Sequence, residues 1–234
     1  MAIETDAALI TAGVRHGRTT GAPVAMSIDN RDWVNWAFTM HPDESPPAEA
    51  GGARRAPVTR PRPGHADLAG ALKYGHADLR DVLERASARE TAARVAAGAL
   101  ARLLLAQVGV EVISHVTAIG PERSGVLGAA FDAIALLPED SPTRCVDEAA
   151  AARMVAAIDA ARDAGDTLGG VFEVAARGVP AGLGSYAQWD RRLDGRLAQA
   201  MMSIPAIKAV SIGIGAEAAG LRGSQVHDEI LPSA

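Results

Sequence analysis

Residues 87–107 contain the pattern that most constrains how this chain can fold. Ser87 and Glu90 form an S-x-x-E sequence, in which the serine hydroxyl accepts from the Glu90 amide while the glutamate carboxylate reaches back to the serine amide. A run rich in Ala, Leu and Arg follows, and Gly109 can end it. The pattern predicts a long helix, Ala88–Gln107, that is capped by Ser87.

The start of this helix is also a candidate anion site. The first amides of a helix lack partners inside the helix, and Arg85 and Arg89 flank them in the sequence. A guanidinium presents two parallel donors to a phosphate or a carboxylate, which makes Arg62 and Arg89 candidate substrate ligands. The alternative is an ordinary capped helix whose arginines face water.

A basic loop stiffened by proline and glycine precedes the helix, with the sequence R-P-R-P-G-H-A-D at residues 60–67. His65 is a candidate catalytic residue, because the charge of a histidine changes near neutral pH and this suits proton transfer. The alternative is a solvated or capping loop histidine.

The net charge and its distribution limit the kinds of ligand that this protein can bind. The net charge is -5, which argues against a general nucleic-acid binder. Residues 54–94 nevertheless hold nine Lys or Arg against five Asp or Glu. A locally basic region on an acidic protein suits a small anionic ligand.

The sequence argues against several other sites. The one cysteine, Cys145, excludes an internal disulfide and a cysteine zinc site, and no histidine spacing suggests a metal. We expect a cytoplasmic protein without a membrane span or signal peptide.

Periodicity and turn residues give a coarse map of the elements. Strands are expected within 8–28, 110–119, 170–176 and 206–212, and helices within 66–84, 147–164 and 191–202. Residues 41–64 and 120–143 are expected to be loops. Strands and helices alternate loosely, which indicates α+β or α/β layers.

Ordered motifs run along most of the chain, and together they resemble chorismate synthase. The principal ones are R-P-G-H-A-D (62–67), L-K-Y-G (72–75) and E-R-A-S-A-R-E-T-A (84–92). Further motifs match at 12–17, 30–33, 114–116, 165–170, 182–185, 190–194 and 202–208.

The resemblance implies an α+β fold of β-α-β sandwich layers, in a homotetramer. It implies the elimination of phosphate from 5-enolpyruvylshikimate 3-phosphate to give chorismate, with reduced FMN as cofactor and NADPH needed only to reduce the flavin. The matching positions imply a catalytic role for His65 at the flavin, FMN binding by Arg85, Ala86, Ser87, Pro205 and Ala206, and a substrate carrying carboxylates and phosphate. Arg62 and Arg89 flank two of these motifs.

The sequence departs from the family pattern at its two ends. It lacks the G-E-S-H-G motif with the second catalytic histidine, the arginine pair that follows it, and the C-terminal flavin loops. We therefore interpret residues 1–234 as one domain that corresponds to the central portion of the enzyme, and we expect the chain by itself to form no chorismate. An inactive fragment with a partial FMN or anion site is the alternative, and a simple flavin- or phosphate-binding module is a further one.

Overall fold

The computed structural model describes residues 7–44, 55–126 and 128–231. The strands of these residues are β1 (Ala8–Ala12), β2 (Val14–Arg15), β3 (Arg18–Thr19), β4 (Ala25–Ile28), β5 (Glu111–Ile119), β6 (Glu122–Arg123) and β7 (Gly170–Arg177). The helices are α1 (Asp67–Tyr74), α2 (Arg80–Arg85), α3 (Ala88–Gln107), α4 (Phe131–Ala135), α5 (Glu148–Asp163), α6 (Leu193–Met202) and α7 (Gly223–Val226).

The described residues divide into two compact units, one formed by residues 1–98 and 186–234 and the other by residues 99–185. The expectation of a single domain over residues 1–234 stays a prediction. Among the described residues, no helix combines the length and the hydrophobicity needed to span a membrane.

Two antiparallel strand pairs open the first unit. β1 pairs with β4, and β2 pairs with β3 across the turn formed by His16 and Gly17. Both turn residues have positive φ, +50° and +73°, which suits a two-residue hairpin because this turn follows the right-handed twist of the strands. The expected strands within residues 8–28 are confirmed.

Residues 66–84, predicted to include a short helix, form two helices. α1 ends at Gly75, whose φ of +70° is left-handed and whose amide donates to the Ala71 carbonyl. α2 packs closely against α1, since a Cβ added to Gly70 would lie 2.7 Å from a methyl carbon of Val82. The glycine at residue 70 therefore allows the two helices to approach each other.

The second unit is built on a three-stranded antiparallel sheet in the order β6-β5-β7. The Asp147 side chain caps α5 by accepting from the Ala150 amide, and Gly165 follows the helix with a φ of +68°. Cys145, Ala150 and Met154 form a buried cluster against Val116 and other apolar side chains. The predicted helix within 147–164 and the two long strands of this region are confirmed.

One expected loop and one expected strand are wrong. Residues 120–143, expected to be irregular, contain β6 and α4. Residues 206–212 form no strand, because no neighbouring strand in the described part of the chain offers them a ladder of hydrogen bonds. Their apolar and β-branched residues alone do not produce a strand. Residues 45–54 of the predicted 41–64 loop lie outside the described residues.

Replacement of Gly70 by alanine should destabilise the protein. The new methyl group would meet both methyl carbons of Val82, at 2.7 and 2.8 Å, and a β-branched side chain has few rotamers with which to move away. We expect a loss of about 1–3 kcal/mol in the free energy of unfolding, measured by urea denaturation.

Gly98→Ala provides the matched control within α3. No described atom lies within 4 Å of a Cβ added there, so alanine should stabilise the helix by up to about 1 kcal/mol. Equal effects of the two substitutions would contradict close packing at Gly70.

Candidate active site

The basic loop is held at its entrance by a buried arginine. Arg80, which is 9% exposed, pairs with Asp78 at 2.9 Å and donates to the Arg55 and Ala56 carbonyls. Asp78 also accepts from the Val58 amide at 3.1 Å. These contacts fix residues 55–58 beside the start of α2, although the sequence gives the segment no regular structure.

A second ion pair closes the turn that carries His65. The Asp67 carboxylate, 1% exposed, accepts three hydrogen bonds from Arg62: from the main-chain amide at 2.9 Å, Nε at 3.0 Å and Nη2 at 3.1 Å. These bonds from the Arg62 side chain and amide outweigh desolvation and hold the pKa of Asp67 at about 2. A buried carboxylate of this kind is stable only because its charge is paired and hydrogen-bonded.

His65 lies at the exposed tip of this turn. Gly64 precedes it with a φ of +72°, and the His65 ring contacts the Pro63 carbonyl through Nδ1 at 3.0 Å. Because a carbonyl can only accept, Nδ1 must carry the hydrogen. Nε2 makes no hydrogen bond to any residue that the structure describes, so it is the nitrogen that can exchange a proton with a ligand.

Ser87 caps α3 as predicted, but its partner differs from that of a capping box. Its hydroxyl accepts from the Arg89 amide at 3.2 Å, while the Glu90 amide donates to the Ser87 carbonyl at 3.1 Å. The Glu90 carboxylate turns to Arg94, one helical turn away, at 2.7 Å. The predicted reciprocal box is wrong because this charge-assisted pair holds the carboxylate along the helix.

The arginines around the start of α3 have different environments. The Arg85 side chain is 82% exposed and lies 3.8 Å from Glu90. Arg89 donates to the Ile28 carbonyl at 3.1 Å and to that of Asp29, so it ties α3 to the end of β4. Ala86, between α2 and α3, donates its amide to the Val82 carbonyl at 2.9 Å.

Arg62 and Arg89, the predicted substrate ligands, therefore both contact protein groups. Arg62 uses Nε and Nη2 for Asp67, and Arg89 uses Nη2 for the two carbonyls. These bonds fix the direction of each guanidinium. Substrate binding by either residue stays a prediction.

Pro205 and Ala206 form an exposed turn after α6. Ala206 has a φ of +67°, a left-handed conformation that is uncommon for alanine. Arg94 links α3 to the end of α6 through a 3.0 Å bond from its Nη1 to the Ser203 hydroxyl. All eight predicted site residues belong to the unit of residues 1–98 and 186–234.

The residues that hold this site in place carry no clear signal in the sequence. Asp67, Asp78, Arg80 and Arg94 read as ordinary charged residues of helical segments. Asp67 fixes the turn that carries His65, Asp78 and Arg80 fix residues 55–58 that precede it, and Arg94 bonds to the end of α6. The signal available for Asp67 was its place as the last residue of the R-P-G-H-A-D motif. Within the described ranges, no group of three or more His, Cys, Asp or Glu residues could hold a metal.

Comparison with known proteins defines the class of this chain. A family model described as chorismate synthase matches residues 1–233. Chorismate synthase of Desulforudis audaxviator (strain MP104C) is 59% identical over 231 residues, and that of Moorella thermoacetica (strain ATCC 39073 / JCM 9320) is 60% identical over 230 residues. These matches cover 99% and 98% of this chain, and 58% of each relative.

A solved structure agrees with these matches. A crystal structure of chorismate synthase superposes with a TM-score of 0.79 and 44% identity, covering 97% of this chain and 61% of the solved one. The class is therefore an α+β protein with the chorismate synthase fold, as expected. The chain belongs to the chorismate synthase family, and it spans about three fifths of the length of these relatives.

The pairing of Asp67 with Arg62 should make stability depend on pH in acid. The pKa of Asp67 is about 2 in the folded chain and ordinarily 3.8, so its contribution is complete above pH ~4 and is lost as the pH falls through about 2. We expect the Tm difference between the native chain and Asp67→Asn to be largest near pH 5 and to shrink towards pH 2. A difference that is constant over this range would contradict the ion pair as its source.

Proposed function

We propose that this chain supplies the flavin-side part of a chorismate synthase active site. The reaction is the 1,4-elimination of phosphate from 5-enolpyruvylshikimate 3-phosphate to give chorismate, a step of aromatic amino acid biosynthesis. The observation that carries the proposal is His65, held by Pro63 through Nδ1 with Nε2 available, in a chain that belongs to this family.

The donor set of this unit suits FMN. Arg85 offers an exposed guanidinium for the phosphate of the cofactor, and Ala86 and Ser87 lie at the same helix junction. Pro205 and Ala206 offer an exposed turn whose backbone can approach a flat ring. When it is bound, reduced FMN supplies electron density that eases departure of the substrate phosphate.

His65 would hold a proton at the flavin. With Nδ1–H donated to Pro63, any further proton must reside on Nε2, and the resulting imidazolium can donate it to a negatively charged partner. A fixed cation at this position stabilises negative charge on a reduced ring without the solvent reorganisation that water would require. His65 thus tunes the charge of the cofactor.

Arg62 and Arg89 are the proposed ligands of the substrate, which carries two carboxylates and a phosphate. Their guanidinium groups are oriented by Asp67 and by the carbonyls at the end of β4, which supports a rigid arrangement of charge. Preorganised cations of this kind orient an anionic substrate for elimination.

The family resemblance supports further proposals for the assembled enzyme. These are a homotetramer, NADPH-dependent supply of the reduced flavin, and a cytoplasmic location. The bonds between Arg94, Glu90 and Ser203 support the cofactor site, because they hold α3 to the turn that contains Pro205 and Ala206.

Replacement of His65 by alanine should lower turnover by about 10²- to 10⁴-fold, the usual contribution of a positioned acid or base. Because the chain spans 58% of its relatives, turnover is measured in a chimera in which this chain replaces the matched region of the Moorella thermoacetica protein. Reduced FMN and substrate are supplied anaerobically, and chorismate is followed by absorbance.

His76→Ala serves as the matched control. His76 is half-buried and contacts Asp81 at 3.5 Å, outside the proposed site, so its loss should leave turnover within about threefold of the native chimera. Native turnover in a folded His65→Ala chimera would overturn the catalytic role. Chorismate formed by the bare chain would show that these residues suffice.

Ser87→Ala should weaken both α3 and FMN binding. Loss of the cap hydroxyl removes the acceptor of the Arg89 amide and costs ~1 kcal/mol of stability, within a range of about 0.5–2. It should also loosen the helix start that contacts the cofactor, so FMN should raise the Tm of the variant less than that of the native chain.

Asp147→Ala provides the comparison for Ser87→Ala. Asp147 caps α5 in the other unit, so its loss should lower Tm while leaving the FMN-induced shift unchanged. Equal FMN shifts in the native chain and Ser87→Ala would show that Ser87 is only a helix cap.

A further inference from the structure

We propose that Asp67 is a positioning residue for His65, which sets the ring nitrogen that the histidine presents to its ligand. This inference rests on the proposed function, because it assigns a role within the same site. Asp67 would act through Arg62 and through the turn between them, without touching the ligand itself.

The geometry of the turn supports this role. One carboxylate binds both the main chain and the side chain of Arg62, with three bonds of 2.9–3.1 Å. The bond from the Arg62 amide to the Asp67 carboxylate closes residues 62–67 into a ring. The two bonds from the Arg62 guanidinium attach the side chain of the same residue to the same carboxylate. Such a double attachment leaves the intervening backbone little freedom to rotate.

The orientation of the histidine depends on that backbone. The carbonyl that receives Nδ1–H belongs to Pro63, the residue directly after Arg62. The direction of this carbonyl is set by the peptide plane between Pro63 and Gly64, and Gly64 is left-handed at +72°. Within the turn, the His65 amide donates to the Arg62 carbonyl at 3.4 Å, which is a long bond. Since glycine permits many other conformations, the bonds from Arg62 to Asp67 add a second restraint that keeps the Pro63 carbonyl facing the ring.

Burial makes Asp67 a firm restraint. The residue is 1% exposed, whereas Arg62 is exposed along much of its side chain, at 46%. Releasing Arg62 would leave an unpaired charge away from water, which is strongly unfavourable. The carboxylate thus favours the closed turn as long as it is ionised.

A different role could explain the same contacts. Asp67 is an acidic residue in the first turn of α1, where a negative charge stabilises the helix dipole. Asp81 occupies the corresponding place in the first turn of α2, with its side chain 54% exposed and without a bond to the histidine turn. Asp67→Asn and Asp81→Asn therefore each remove one negative charge from the first turn of a helix.

The experiment measures the tautomer of His65 by long-range ¹H–¹⁵N NMR on the 234-residue chain. Spectra are recorded near pH 8, where an ordinary histidine is neutral. In the native chain we expect the Nδ1–H form to dominate, as the bond to Pro63 requires. Asp67→Asn should lower the ratio of Nδ1–H to Nε2–H by roughly two- to tenfold, the factor for loss of one ordinary hydrogen bond.

Asp81→Asn should leave the tautomer ratio unchanged. An unchanged ratio in folded Asp67→Asn would overturn the proposal, and so would an equal shift in the two variants. If Asp67→Asn does not fold, the tautomer ratio is measured in Arg62→Lys instead. Lysine replaces the exposed guanidinium and cannot form its two parallel bonds to Asp67. A shift in the same direction supports the proposal, and its absence overturns it.

Kinetics in the chimera separates this inference from the proposed function. Asp67→Asn should lower kcat by roughly ten- to a hundredfold, as for a misplaced catalytic group, and should also raise KM, because Asp67 orients the proposed substrate ligand Arg62. A native kcat for His65→Ala would refute the catalytic role of His65 while leaving the tautomer result intact. A native tautomer in Asp67→Asn would refute the positioning role while leaving the role of His65 intact.

Discussion

The paired charges of Arg62 and Asp67 are the interaction on which the candidate site depends. An aspartate that is 1% exposed can stay ionised only if its lost hydration is replaced, and Arg62 replaces it with three hydrogen bonds. The same bonds shape an irregular segment that has no ladder or helix of its own. Because this ionised carboxylate must be paired, the turn is held closed and His65 is kept in one position.

A similar arrangement holds the neighbouring segments of this unit. Arg80 and Asp78 anchor the entrance of the basic loop, and Arg89 joins α3 to the carbonyls at the end of β4. Both Arg80 and Arg89 bind main-chain carbonyls. Arginine suits this task because its guanidinium has five donors in a rigid plane and remains charged at all relevant pH values.

The unit of residues 99–185 shows how the same side chain stabilises regular structure. Arg177, at the end of β7, binds the Glu111 carboxylate through two nitrogens at 3.0 and 3.1 Å and Asp132 at 2.6 Å. It also lies over the ring of Phe131, 4.2 Å from its centre. The contact joins the edge of the sheet to α4, which sequence analysis had assigned to a loop.

The sequence by itself determined the elements whose signals are local. The hydroxyl of Ser87 and the glycines at 109 and 165 mark ends of α3 and α5, because caps act on neighbouring amides and carbonyls. The motifs around His65 and Ser87 likewise identified the family, since they consist of residues in a fixed order.

Tertiary structure decided which charged groups meet. Residues 206–212 have the apolar pattern of a strand but no pairing strand in the described chain, so the pattern does not produce one. The bonds from Arg80 to residues 55 and 56 span more than twenty positions, and such contacts depend on the packing of distant segments, which sequence spacing does not encode.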